Sequence, residues 1–137
     1  MAEKIVIDAE NGVMGRVASF AAKQALQGKE VAIINSEKSL VSGDKFINIE
    51  RRKELRRLNT INPTKGSFFS KVPDKMMKRS IRGMVPDFRK GRGKQIFGMI
   101  KCYNGIPEEL KNEKAIKMET KKIPPKVMTL GELSRRL

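Results

Sequence analysis

A chain of 137 residues with a net charge of +15, no histidine and one cysteine is long enough for a single domain with its own core. One cysteine excludes an internal disulfide, and the lack of histidine removes the usual neutral-pH acid–base group and the commonest metal ligand. No apolar run approaches the roughly 20 residues of a membrane span, and the N-terminus lacks the layout of a signal peptide. The composition therefore predicts a cytoplasmic protein without a membrane partner.

The first 35 residues predict a βαβ unit. Residues 4–8 and 31–34 are short apolar runs that are typical of buried strands. Between them, small and apolar residues recur at helical spacing over residues 15–27, and Gly28 is placed to stop that helix. A strand, a helix and a strand within this length imply parallel strands with a right-handed crossover.

The next segment predicts a short strand at residues 39–41 and a helix from Asp44 to about Leu58. An apolar arc on this helix consists of Ile47, Leu55 and Leu58. A separate basic arc consists of Arg52, Lys53, Arg56 and Arg57. This basic arc either contacts phosphate groups or is an ordinary solvated face, since acidic residues are close by in sequence.

Residues 59–71 show no clean period and predict an extended loop. Phe68 and Phe69 lie in this loop between Lys65 and Lys71. The two aromatic rings either stack on nucleic-acid bases or anchor the loop to the core.

Positive charge is concentrated in the middle of the chain. Residues 45–101 hold 17 basic and 4 acidic side chains, whereas residues 1–44 hold 5 basic and 6 acidic ones. A surface that needed only solubility would spread its charge. This pattern predicts that the middle of the chain binds a polyanion, and a nucleic-acid backbone is the foremost candidate.

A helix over residues 73–83 followed by a basic loop is the strongest feature of this middle part. Pro73 suits the first helical position, and Gly83 is placed to end the helix in a left-handed conformation. The apolar side of the helix consists of Met77, Ile81 and Met84. The opposite side carries Lys75, Lys78, Arg79 and Arg82, and the loop adds Arg89, Lys90, Arg92 and Lys94.

The C-terminal third predicts a short helical piece at residues 95–99, a strand at 100–103, a turn or short helix at 107–111 and an extended segment at 114–125. A last helix starts at Thr129, which forms a capping box with Glu132. We expect one domain over residues 1–137, with an α/β core and basic middle over 1–113. An extended tail with a short helix follows over 114–137.

An enzyme is the main competing class, because the turn at residues 11–15 follows a strand and is similar to nucleotide-binding turns. It matches neither G-x-G-x-x-G nor G-x-x-x-x-G-K-[ST]. No carboxylate pair, metal-ligand cluster or nucleophile–base set is recognisable along the chain. The sequence therefore predicts no enzyme, no cofactor, no metal and no small-molecule substrate.

Six motifs, in order along nearly the whole chain, resemble one family. They are Asp-Ala-Glu-Asn-Gly-Val-Met-Gly-Arg-Val-Ala-Ser at residues 8–19, Ile-Asn-Ser-Glu-Lys at 34–38, Ser-Gly-Asp-Lys at 42–45, Arg-Gly-Met-Val-Pro at 82–86, Tyr-Asn-Gly-Ile-Pro at 103–107 and Thr-Leu-Gly-Glu at 129–132. Together they resemble the universal large-subunit ribosomal protein thirteen family, and the last two resemble its archaeal and eukaryotic branch. The end of the chain at Leu137, without the long extension of eukaryotic relatives, favours an archaeal origin.

The resemblance implies a fold and a role. The fold is α/β: a three-layer α/β/α domain around a four-stranded parallel sheet, with basic helices and loops and a short C-terminal helix. The role is that of a structural constituent of the large ribosomal subunit, which binds large-subunit ribosomal RNA and supports its assembly in the cytoplasm. Neighbouring large-subunit proteins, among them ribosomal protein three, are the implied protein partners.

Carried over position by position, the resemblance places residues 82–86 and the preceding helix against RNA. Basic side chains would meet phosphates, and Gly83 would let the backbone turn closely. The expected RNA-binding residues are Arg52, Lys53, Arg56, Arg57, Lys65, Lys71, Lys75, Lys78, Arg79, Arg82, Gly83, Arg89, Lys90, Arg92 and Lys94. The same surface also leaves open a regulatory RNA-binding protein outside the ribosome, such as a translational repressor.

Overall fold

The computed structural model describes residues 2–58, 61–62, 64–66 and 68–137. The strands in these ranges are β1 (Lys4–Asp8), β2 (Glu30–Ile34), β3 (Leu40–Ser42), β4 (Ile100–Cys102), β5 (Ala115–Lys117) and β6 (Val127–Thr129). The α-helices are α1 (Met14–Leu26), α2 (Lys45–Arg57), α3 (Pro73–Arg82), α4 (Gly91–Gly98) and α5 (Leu130–Arg136). Short 3₁₀ helices cover Ser36–Lys38 and Glu108–Leu110.

Four of these strands form a parallel sheet in the order β4-β2-β1-β5. The register places Ile7 beside Ile33 in the central pair, and Val31 beside Ile100 toward the β4 edge. The first pair and α1 form the predicted βαβ unit, and Gly28 follows α1 with a φ of +88°. The predicted α/β class with a four-stranded parallel sheet is confirmed.

Side chains alternate between the two faces of the sheet because successive strand residues point in opposite directions. Ile7, Ile33 and Ile100 are fully buried on one face, where α1, α3, α4 and α5 supply the main core. The alanines of α1 let that helix lie close to the sheet. Val6 and Ile34 face the other way and pack with Leu110 of the 3₁₀ helix Glu108–Leu110. Both faces of the sheet are therefore covered, as the predicted three-layer α/β/α arrangement requires, and the second outer layer is this short 3₁₀ helix.

Two helix starts, at Asp44 and at Thr129, agree with the sequence prediction. The Asp44 side chain accepts hydrogen bonds from the backbone N–H of Phe46 at 2.9 Å and of Ile47 at 3.4 Å, and α2 starts at the next residue. The Thr129 hydroxyl oxygen accepts the Glu132 backbone N–H at 3.1 Å and caps α5. These bonds satisfy backbone donors that have no partner inside the helix.

The predicted inner face of α2 is wrong. Of the predicted arc, Leu55 is half-buried, but Ile47 is 64% exposed and Leu58 is 59% exposed, whereas Ile49 is buried in the main core. The helix packs against α5, a contact between distant parts of the chain, and this contact selects the face that turns inward. The apolar arc in the sequence therefore does not coincide with the buried side.

Three details around α3 and α4 also differ from the sequence prediction. Met84 is 43% exposed, and Met76 takes its place beside Met77 and Ile81 in the core. Gly83 ends α3 with a φ of −71°, which is right-handed and open to any residue, so the predicted left-handed cap is wrong. The helix α4 starts at Gly91, so the later part of the predicted basic loop is helical.

The third predicted strand, β3, is outside the main sheet. It pairs antiparallel with β6, and Val41 lies beside Met128 in this small second sheet. This pairing with a strand near the end of the chain, with Leu40 beside Thr129, brings α5 onto the main core. No local pattern around residues 39–41 encodes such a partner.

Part of the C-terminal segment crosses the end of β1. The Met118 N–H donates to the Asp8 carbonyl at 3.2 Å, and the Val13 N–H donates to the Thr120 hydroxyl oxygen at 3.2 Å. A Cβ on Gly12 would lie 2.5 Å from the Met118 carbonyl oxygen, so only glycine fits beneath this segment. In open parallel sheets, ligands bind beyond the carboxyl ends of strands where the strand order reverses. Here the chain itself fills that position.

Candidate nucleic-acid interface

The helix α3 separates apolar and cationic side chains onto two sides. Met76, Met77 and Ile81 are buried in the main core. Lys75 is exposed, and the other cations of the helix are partly exposed on the opposite side. The packing of the apolar side on α1 and β4 therefore holds the cations outward.

Aromatic rings hold these cations in place. The Arg79 guanidinium carbon lies 3.9 Å from the centroid of the Phe69 ring, and the Arg82 guanidinium carbon lies 4.8 Å from that of Phe88. Similar contacts join Lys78 to Phe97 at 4.8 Å and Arg89 to Phe88 at 5.6 Å. Cations over aromatic faces gain electrostatic attraction and lose some side-chain freedom.

Cations of α2 approach those of α3. A groove of about 350 Å³ between the two helices is lined by Arg51, Arg52, Phe69 and Arg79, among others. Burial lowers the pKa of Arg52, and the positive charge of Arg51 lowers it further. Burial likewise lowers the pKa of Arg79, with added repulsion from Arg82 and Arg52. Like charges thus crowd together on one surface, which favours an anion as its ligand.

We call this surface the cationic face. It consists of Arg51, Arg52, Lys75, Lys78, Arg79, Arg82 and Arg89.

The cationic face has no ion pairs in the part of the chain that the structure describes. The ion pairs there join other regions, for example Lys4 with Glu113 at 2.9 Å and Lys38 with Glu10 at 3.4 Å. Two acids close to these cations in sequence accept backbone N–H groups: Asp74 accepts that of Lys75 at 2.8 Å, and Asp87 accepts that of Arg89 at 3.1 Å. The positive charges of this face are therefore available to an external partner.

A glycine of α4 brings the helix close to the chain that precedes it. A Cβ on Gly93 would lie 2.6 Å from the Pro86 carbonyl oxygen and nearer still to the Asp87 carbonyl oxygen. Gly93 thus allows a close approach within the fold, whereas a Cβ on Gly83 would meet only the Ser80 carbonyl oxygen at 3.8 Å. The tight contact fixes α4, and with it Phe97, beside α3.

Two predicted RNA-binding arginines outside the cationic face donate to backbone carbonyls. Arg92 donates to the Leu26 carbonyl at 3.2 Å, at the C-terminal end of α1, and Arg56 donates to the Leu137 carbonyl at 3.2 Å. These contacts lie outside the cationic face. Each arginine keeps further N–H donors, since a guanidinium carries five.

The remaining predicted residues do not converge on the cationic face through any described contact. All except Lys53, which is partly buried, are exposed. This group consists of Lys53, Arg57, Lys65, Lys71, Lys90 and Lys94. Sequence reasoning missed Arg51, Phe88, Phe97 and Gly93. Of these, Phe88 alone carries a local signal, because it directly precedes Arg89.

Neither a metal-ligand cluster nor a reactive thiol is found among the described residues. Among residues 2–58, 61–62, 64–66 and 68–137, no three Cys, Asp or Glu side chains are placed to hold a metal ion. Burial raises the pKa of the Cys102 thiol to about 12, so it remains protonated and unreactive at neutral pH. None of the helices in these ranges combines the length and apolar character that crossing a bilayer requires.

Fold and surface together define a class: a small α/β domain whose core positions an unpaired cationic face of the kind that binds polyanions. Comparison with known proteins narrows this class. The profile of the family described as "Ribosomal protein L13" matches residues 2–109.

Individual relatives match over nearly the whole chain. The "Large ribosomal subunit protein uL13" of Methanococcoides burtonii is 38% identical over 136 residues, which cover 96% of each chain. The protein of the same name from Archaeoglobus fulgidus is 34% identical over 137 residues, covering 96% of this chain and 86% of the relative. That of Methanococcus maripaludis is 38% identical over 135 residues, covering 97% and 96%.

The chain belongs to the ribosomal protein L13 family. The resemblance seen in the motifs is confirmed, including its archaeal character. This is a family of structural ribosomal proteins, so the prediction that the chain is not an enzyme is also confirmed.

Proposed function

We propose that this protein is a structural constituent of the large ribosomal subunit in the cytoplasm, and that it binds large-subunit ribosomal RNA through the cationic face. One observation carries the proposal: in the described chain Arg52, the cations of α3 and Arg89 lie on one surface without ion pairs, and the ion pairs lie elsewhere. Family membership supports large-subunit ribosomal RNA as the ligand, because the relatives are named as proteins of the large ribosomal subunit.

The cationic face binds by matching phosphate geometry. Arginine offers two parallel N–H donors to one phosphate, whereas lysine acts as a compact point charge. Phe69 and Phe88 hold Arg79 and Arg82 in place before RNA arrives, so less side-chain freedom is lost on binding. Release of counterions from the RNA then supplies a large share of the affinity.

The same contacts would support assembly of the large subunit. Bound phosphates relieve the repulsion among Arg52, Arg79 and Arg82, so the protein and the RNA stabilise each other. Residues outside the cationic face, such as Arg57, Lys65 and Lys94, would extend the contact along the RNA. Arg56 and Arg92 would join through the N–H donors that their backbone partners leave free.

A protein neighbour would use a different surface. Phe46 is 71% exposed and Ile47 is 64% exposed on α2, apart from the basic arc of that helix. Aromatic and aliphatic side chains of this kind form the centres of protein–protein contacts. We propose that a large-subunit protein covers them, and the family resemblance points to ribosomal protein three.

Sedimentation and crosslinking test the proposal. The tagged protein should co-sediment with large subunits through a sucrose gradient, and ultraviolet crosslinking in cells should recover fragments of large-subunit ribosomal RNA. Arg79→Ala/Arg82→Ala should deplete the protein from the large-subunit peak. The matched variant Lys38→Ala/Lys111→Ala loses the same charge from ion-paired positions and should not.

Two results would contradict the proposal. Consistent absence of the protein from the large-subunit peak would contradict the proposed ribosomal role. Crosslinks confined to messenger RNA would instead support a regulatory protein outside the ribosome.

A further inference from the structure

We propose that the groove beside α3 binds one unpaired nucleobase of the RNA, stacked on the ring of Phe68. This inference rests on the proposed function and adds the kind of nucleotide that the site takes. It is carried by the distribution of the aromatic side chains, their partners and the cations around them.

Four of the six phenylalanines lie in this region, and three of their rings already have partners. Phe69 lies against Arg79, Phe97 lies against Lys78, and Phe88 lies against two arginines. Phe88 and Phe97 also contact each other, with their ring centroids 5.9 Å apart. Among the described residues, the Phe68 ring stands out: it is 77% exposed and makes no such contact. An exposed aromatic ring beside a cationic face favours a ligand with an aromatic surface.

The backbone of Phe68 is held in place. Arg79 Nη1 donates to the Phe68 carbonyl oxygen at 3.4 Å while its guanidinium lies over the ring of Phe69. Two residues further on, the Ser70 hydroxyl oxygen accepts the Val72 N–H at 3.2 Å, directly before α3. One arginine of the cationic face thus also positions the exposed ring.

The groove beside Phe68 suits a single nucleotide. Its volume is about 340 Å³, near the lower end of the range of roughly 300–1,000 Å³ for small-ligand sites. Three aromatic rings and four cations line it: Phe68, Phe88, Phe97, Lys75, Lys78, Arg79 and Arg82. A base would stack on the ring of Phe68, and the adjoining phosphates would meet the cations.

Stacking on Phe68 selects for RNA structure rather than for sequence. Every base has an aromatic face, so the contact is tolerant of base identity. Paired bases inside an RNA duplex already stack on each other, so a fully paired duplex has no base available to stack on Phe68. The site therefore favours a bulge or loop in which one base is unpaired.

The experiment uses two RNA hairpins in which a non-nucleotide linker replaces the loop, so that the only unpaired base is a bulged 2-aminopurine present in one of them. The wild-type protein should bind the bulged hairpin more tightly and quench the 2-aminopurine fluorescence. Phe68→Ala should weaken binding to the bulged hairpin by roughly 5- to 100-fold and leave the paired hairpin unaffected. Phe46→Ala removes an equally exposed ring, 71% against 77%, from outside the groove and should behave like the wild type.

Two further variants separate stacking from apolar contact. Phe68→Tyr keeps an aromatic ring and should retain both binding and quenching. Phe68→Leu keeps apolar volume without the ring and should behave like Phe68→Ala.

Several outcomes would overturn the inference. Equal weakening on both hairpins, or the same loss with Phe46→Ala, would mean that Phe68 has no role specific to an unpaired base. Unchanged binding with Phe68→Ala would show that no base stacks there. Failure of the proposed function is distinct, because then neither hairpin would show salt-dependent binding through the cationic face.

Discussion

Replacing Gly93 with alanine should destabilise the fold, although the change adds a single methyl group. The new Cβ would lie 2.6 Å from the Pro86 carbonyl oxygen and nearer still to that of Asp87. Both obstacles are backbone atoms, so no side chain can swing away. The first turn of α4 and residues 86–87 must separate by a distance on the order of 1 Å, which disturbs the packing around the buried Gly93.

The expected loss of stability can be taken from comparable sites where a group was inserted into a tight contact. An inserted methyl group in a tight contact typically lowers the free energy of unfolding by about 1–3 kcal/mol. Because the obstacle at Gly93 is backbone, we expect Gly93→Ala to fall in the upper half of this range, at about 2–3 kcal/mol. For a chain of this size, the corresponding fall in Tm is about 6–12 °C.

Gly98 provides a matched control in the same helix. A Cβ at Gly98 meets nothing within 4 Å, so Gly98→Ala should leave stability unchanged or raise it by up to about 1 kcal/mol. Thermal and urea unfolding of both variants, monitored by circular dichroism, measure the difference. A Gly93→Ala protein that melts at or above the wild-type Tm would refute the close approach of α4.

Three further predictions concern caps, acid and polyanions. Thr129→Ala removes the acceptor for the Glu132 N–H and should cost about 1 kcal/mol in urea unfolding, whereas Thr129→Ser should restore it. Hydrogen bonds from the N–H groups of Phe46 and Ile47 lower the pKa of Asp44, so its carboxylate stabilises the fold above about pH 4 and this stability is lost as the pH falls through the folded pKa. Asp44→Asn should therefore lose less stability than the wild type on acidification, and equal acid sensitivity would contradict the cap. Heparin at about 100 times its Kd should raise stability by about 2.7 kcal/mol, and an unmoved Tm would refute the idea that repulsion limits the free fold.

Local patterns predicted the elements whose partners are close in sequence. The βαβ unit was recognisable because each strand is a short apolar run and α1 carries small residues at helical spacing. The caps at Asp44 and Thr129 were recognisable because the donors they satisfy lie two or three residues away. The concentration of charge over residues 45–101 indicated which part of the chain forms the cationic face.

Features set by distant contacts were not recognisable. Ile49 rather than Ile47 turns inward because α2 packs on α5, which β6 positions through its pairing with β3. Gly93 is required by the path of residues 86–87, and nothing around Gly93 itself shows that path. Which ring holds which cation likewise depends on how α4 lies beside α3.

The most direct test of the central claim is the salt dependence of RNA binding by a charge-matched pair of variants. Lys75→Ala/Arg82→Ala removes two unpaired charges from the cationic face. Lys38→Ala/Lys111→Ala removes two charges that pair with Glu10 and Glu108 elsewhere. Affinity for a large-subunit ribosomal RNA fragment is measured across a range of salt concentrations.

The slope of log Kobs against log salt should become shallower by about two units for the first variant, one for each phosphate that the protein no longer neutralises. The second variant should keep the wild-type slope. Equal slopes for both variants, whether changed or unchanged, would contradict the claim that RNA is bound by this one face.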